Sequence, residues 1–183
     1  EAERRKTLGN NPSIIYAIEE PETSQHTEHQ RRLIKAFLDL AETANTQVII
    51  TTHSAVLVKE LDFTHLRLIK LHDSMKTIEQ VLPNRLPYPS LNEVNFLAFS
   101  EVTEEYHNEL YGYIELEGDM ANYRRNKATI QYHKLKRDGT TTTENIVLTD
   151  YIRHQIHHPE NTHNRRFTFQ ELKESIDLMR DFI

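Results

Sequence analysis

The chain has 183 residues, of which 37% are hydrophobic and 27% charged, with a net charge of −6; that allows one domain or two small ones and argues against a non-specific nucleic-acid coat. It has no cysteine, so disulfides and cysteine-ligated zinc are excluded, and its four glycines disfavour a glycine-rich phosphate loop or a turn-dense β fold. No apolar run approaches the roughly 20 residues that span a bilayer and no signal peptide opens the chain, so no membrane partner is expected and the cytoplasm is the expected location.

Residues 12 to 82 have α/β grammar. Ser13 to Ile18 is a short isoleucine-rich run, which predicts a strand buried on both faces. Glu28 to Glu42 places Leu33, Ile34, Phe37, Leu38 and Ala41 at helical spacing, with Arg31, Arg32, Lys35 and Asp39 opposite. Val48 to Thr52 reads as a second buried strand, followed by a short helix with Ser54 as N-cap. Leu66 to Leu71 and Thr77 to Val81 flank His72-Asp73-Ser74-Met75-Lys76 as a hairpin expected to close the sheet edge.

Residues 83–89 hold three prolines and mark an extended connector between an α/β domain at 1–82 and a second domain at 90–183. Beyond it the pattern predicts helices at Ser90 to Phe99, Val102 to Leu116 and Thr168 to Ile183. Thr141-Thr142-Thr143-Glu144 matches a capping box for a helix reaching His158, where Pro159 stops it. The second domain is therefore expected to be all-α.

The chemistry concentrates at two strand ends. Hydrolysing ATP needs one carboxylate for the magnesium ion, usually through water, and a second to orient the attacking water. Glu19 and Glu20 follow Ile14-Ile15-Tyr16-Ala17-Ile18 at the carboxyl end of a strand, where a nucleotide crevice opens; alone, they would equally suit a solvated acidic loop. His53 ends the second strand at the same sheet edge, and a neutral imidazole there can contact a γ-phosphate.

The run Ile18-Glu19-Glu20-Pro21-Glu22 with Thr51-Thr52-His53-Ser54 resembles the Walker B to H-loop region of ABC/SMC-related ATPases, closest to the AAA-type or OLD-type branch of prokaryotic defence systems. The resemblance covers residues 12 to about 82. It implies the C-terminal half of an ABC-type P-loop NTPase sheet, with ATP and Mg2+ as cofactors. Glu19 would be the magnesium carboxylate, Glu20 the catalytic carboxylate and His53 the switch histidine. Thr23 to Thr27 would occupy the D-loop, where Gln25-His26-Thr27 departs from the Leu-His-Pro of many relatives. ATPase heads of this kind pair, so a homodimer or higher oligomer is expected. Neither a Gly-x-x-x-x-Gly-Lys-Ser/Thr loop nor a signature motif is present. Glu1 to Lys6 resembles the end of the helix after a signature. The chain is thus expected to be the C-terminal part of a longer protein, unable to hydrolyse ATP alone.

Downstream, Arg153-His154-Gln155-Ile156-His157-His158 resembles the Arg-polar-x-x-x-His pattern of HEPN-type ribonucleases. Metal-free RNA cleavage needs a base and a phosphorane-stabilising cation; the resemblance gives those roles to His158 and Arg153, with His154 at the polar position. Arg124, Arg125, Lys134, Lys136 and Arg137 are candidate contacts to RNA phosphates, together with His154. Tyr123 and Tyr132 are candidates for base stacking. Other readings stand beside this one: the histidines cap a helix C-terminus, the basic stretch is a solvated face, or His154, His157, His158 and His163 bind a metal. The function expected is an ATP-gated ribonuclease acting on RNA, tRNA included. The alternative is an ATPase sensor whose helical tail dimerises or recruits a separate nuclease, and a third is a DNA-repair or SMC-like ATPase.

Overall fold

The computed structural model describes residues 13–183, so the expectation placed on Glu1 to Lys6 lies outside them. The chain divides into two compact units, 1–81 and 82–183.

In the first unit, β1 (Ile14–Glu19) pairs in parallel with β2 (Thr46–Thr51), and helix α1 (Thr27–Ala41) forms the crossover. The register opposes Ile14 to Thr46 and Glu19 to Thr51, so both strands end level at one edge. The isoleucine run predicts a strand buried on both faces, and the structure corrects this. Burial alternates along both strands: Ile14, Tyr16, Ile18, Val48 and Ile50 lie on a half-buried face, while Ile15 and Ile49 are 63% and 48% exposed. Helix α1 lies against β2 with Ile34 buried, and among the described residues no second layer covers the other face. Ser54 caps α2 (Ala55–Lys59), accepting a hydrogen bond from the Leu57 N–H at 3.3 Å.

A hairpin of β3 (Arg67–His72) and β4 (Met75–Gln80) comes next, turned by Asp73 and Ser74, both at positive φ (45° and 70°) as a two-residue hairpin loop requires. It is a two-stranded sheet of its own and does not join the β1–β2 sheet edge.

The second unit contains helices α3 (Leu91–Phe99), α4 (Glu104–Leu116), α5 (Met120–Arg124), α6 (Leu148–His157) and α7 (Phe169–Phe182). It is not all-α. Strands β5 (Thr129–Leu135) and β6 (Thr141–Val147) form an antiparallel hairpin in place of the helix that the sequence predicts from Thr142. The local physics is plain. Gly139 takes φ +82°, the Lys136 N–H donates to the Thr140 carbonyl at 2.8 Å, and the Asp138 carboxylate accepts from the Thr140 N–H and hydroxyl. The β-branched run Thr141-Thr142-Thr143 then continues as strand, for which it is suited. The core gathers Tyr106, Leu110 and Ile114 of α4, Ile152 of α6, and Leu172, Ile176 and Met179 of α7, with Leu86 of the proline-rich segment fully buried among them.

Two acidic groups brought into that core are paired. Glu93 is buried, accepting from the N–H groups of Asn84 and Arg85, the Tyr106 hydroxyl and the Arg180 guanidinium. Asp150 holds Arg124 in a bidentate pair at 2.7 and 2.9 Å and accepts from the Tyr111 hydroxyl at 3.0 Å.

Candidate functional site

Level strand ends make a common edge. The Glu20 N–H extends the ladder by one bond, donating to the Thr51 carbonyl at 2.9 Å, so the residues after β1 and after β2 leave the sheet as neighbours. Glu20 has φ +40°, a left-handed conformation unusual for a side chain of its length. A turn begins there: the Glu20 carbonyl accepts from both the N–H (3.1 Å) and the hydroxyl (2.9 Å) of Thr23. That turn aims the Glu20 carboxylate towards β2, where Oε1 lies 3.4 Å from His53 Nε2. The two residues singled out from different strands thus meet.

Both side chains are open to solvent, His53 at 81% and Glu20 at 47%. A contact this exposed contributes about 0–1 kcal/mol, too little to set the loop geometry. Stronger contacts surround it. Glu22 Oε1 accepts from the Thr52 hydroxyl at 2.7 Å and from the His53 N–H at 2.9 Å. Burial pushes the Glu22 carboxyl up, but the Thr52 and backbone hydrogen bonds together with His53 outweigh it and hold it below 4.5. Neither Glu22 nor Thr52 is assigned a role by the sequence, although both lie inside the two motifs.

Glu19 is exposed at the last position of β1. Among the described residues no group of three or more histidine, cysteine, aspartate or glutamate side chains could hold a metal. Glu19 and Glu20 instead offer two hard oxygen donors at an open edge. That suits Mg2+, which keeps several waters and is bound by one or two carboxylates plus phosphate rather than by a protein cage.

The residues chosen in the second unit are distributed differently. Arg153 donates to Asn108 Oδ1 at 2.9 Å and lies over the Tyr111 ring, both on α4. His157, one turn on, is lowered by burial and then by the Arg153 cation. His154 stacks on Tyr132 of β5 at 5.1 Å, and burial lowers it too. His158 caps α6, its ring 6.3 Å from that of His154 and its Nδ1 3.1 Å from Glu160. Arg153 and His158 therefore have separate partners.

Of the basic residues, Arg124 is engaged by Asp150, while Arg125, Lys134, Lys136 and Arg137 are exposed. Tyr123 and Tyr132, expected to stack on bases, are corrected: they are 1% and 3% exposed, with hydroxyls bonded to Thr149 and Asn161. No helix among the described residues is long and apolar enough to cross a membrane.

No curated protein matches the chain. The model of a family described as an AAA ATPase domain matches residues 1–58, a span that includes Glu19, Glu20, Glu22 and His53, and this match supports ATPase activity of the AAA type for that part of the chain.

Proposed function

We propose that the first unit is the catalytic-carboxylate half of an ABC-type ATPase site, working with ATP and Mg2+. The observation that supports this most is the Glu20–His53 pair, 3.4 Å apart and assembled from two strand ends. Glu19 would hold Mg2+ through water. The ion, when bound, neutralises charge on the phosphates. Glu20 would orient the attacking water and take its proton. His53 would donate a ring N–H to the γ-phosphate and register whether it is present. A second copy of the head, meeting the first through nucleotide, is part of this reading, as is a cytoplasmic setting. The test is steady-state phosphate release by a polypeptide that joins these residues to a phosphate loop. His53→Ala is expected to lower turnover by roughly 10²-fold or more, in the range of a lost acid–base or transition-state contact; unchanged turnover would sink the assignment.

For the second unit we propose a docking role under the control of nucleotide state, dimerising or recruiting a separate nuclease in an antiphage defence system. What favours it over an intrinsic HEPN-like ribonuclease is the use already made of the candidate residues: Arg153 by Asn108 and Tyr111, His158 by Glu160, Tyr123 and Tyr132 by the core. Incubation with total tRNA decides between them. The docking role predicts intact RNA from wild type, Arg153→Ala and His158→Ala alike; cleavage lost in either variant would establish the ribonuclease instead.

A further inference from the structure

Glu22 is the one acidic residue of Glu19-Glu20-Pro21-Glu22 without a part in the chemistry above, yet it makes the closest contacts to the switch segment. We propose that Glu22 is a positioning residue, whose carboxylate clamps the loop after β2 to the loop after β1 and thereby holds His53 against Glu20. The proposal rests on the ATPase reading of that pair.

The geometry is a closed ring of hydrogen bonds. The Thr52 hydroxyl and the His53 N–H donate to Glu22 Oε1 at 2.7 and 2.9 Å, so a single oxygen grips the backbone of the switch histidine itself. The Ser54 N–H donates to Thr52 Oγ1 at 2.9 Å, and the Ser54 hydroxyl to Gln30 Oε1 at 2.7 Å. Gln30 Nε2 donates to the Gln25 carbonyl at 3.0 Å, and the Gln25 N–H returns to the Glu22 carbonyl at 2.9 Å. Glu22, Thr52, Ser54, Gln30 and Gln25 thus link the two loops through the first turn of α1. Networks of this kind strengthen one another and rigidify what they connect. Glu22 Oε2 is buried with no hydrogen-bond partner among the described residues, so the whole grip falls on Oε1. The exposed Glu20–His53 contact cannot supply this order for itself. If the ring opens, His53 keeps its side chain but loses its place, and a displacement of about 1 Å is enough to cost up to roughly 10²-fold in rate.

Two readouts test this. In the 183-residue chain, Glu22→Ala is expected to shift the His53 amide resonance and to speed its hydrogen exchange. A His53 amide indifferent to Glu22→Ala overturns the proposal without activity being measured. In the ATPase joined to its phosphate loop, Glu22→Ala is expected to lower kcat about tenfold or more with KM for ATP little changed. Glu22→Gln, which keeps an acceptor oxygen, should restore most of it. A silent Glu22→Ala alongside an inactive Glu20→Gln overturns the clamp and leaves the ATPase reading standing; if both are silent, both fall.

Discussion

Glu20 and His107 are two residues that depart from ordinary folding preference. Glu20 takes φ +40° at a strand end, a conformation that costs of order 1 kcal/mol or more and persists only when neighbours enforce it; Thr23 and the Thr51 carbonyl do so here. His107 is fully buried in α4, with Nε2 on the Ser175 hydroxyl at 3.0 Å. Ser175 donates its own proton to Thr149, so His107 donates from Nε2, and its Nδ1 has no hydrogen-bond partner among the described residues. Burial, then the Arg153 cation, push His107 from 6.5 down to about 3, against smaller upward pulls from the Asn108 side chain and then Asp150. The unfolded chain therefore binds one more proton than the folded chain between those values. This contribution to stability is complete above pH 6.5 and is lost as pH falls from 6.5 towards 3, by up to about 1.4 kcal/mol per pH unit. Urea midpoints at pH 7 and pH 5 should converge for His107→Gln relative to wild type; a parallel response in both proteins would rule the histidine out as the cause.

The elements show how far local sequence carries. Two stretches of this chain read Thr-x-x-Glu. At Thr168 the pattern is a true capping box, the Glu171 N–H donating to the Thr168 hydroxyl and the Thr168 N–H to Glu171 Oε2. An amphipathic run with Leu172, Ile176 and Met179 buried then continues the helix. At Thr141 the same pattern comes after an Asp138-Gly139 turn and is made of β-branched residues, and it becomes a strand. The cap is a boundary signal; the residues beyond it decide the element. Thr168→Ala should destabilise the second unit by about 1 kcal/mol and Thr141→Ala by less than about 0.5 kcal/mol, as thermal melts of the two variants would reveal. Equal losses would mean that the box does nothing special. Strands β1 and β2, helix α1 and the Ser54 cap were legible because periodicity and capping are local properties. The exposed faces of Ile15 and Ile49 were not, because apolar content says nothing about which neighbour arrives to cover it.

At the scale of the whole molecule, the two units differ in how readable their chemistry is. The first carries carboxylates and a histidine directly after two apolar strands, and a parallel register brings those strand ends together, so Glu20 and His53 could be paired from sequence. Glu22 could not: its role depends on where its carboxylate reaches, 31 residues along the chain at His53. In the second unit, Arg153, His158 and Arg124 belong to patterns of common residues, and each also has a partner within the unit. We propose that Glu20 acts on the chemical step. The most direct measurement is single-turnover hydrolysis of labelled ATP by Glu20→Gln, in the ATPase that includes a phosphate loop, with nucleotide affinity measured in parallel. That role predicts ATP binding close to wild type and a chemical step slowed by roughly 10²-fold or more, equivalent to about 2.7 kcal/mol of transition-state stabilisation; a chemical step as fast as wild type would contradict it.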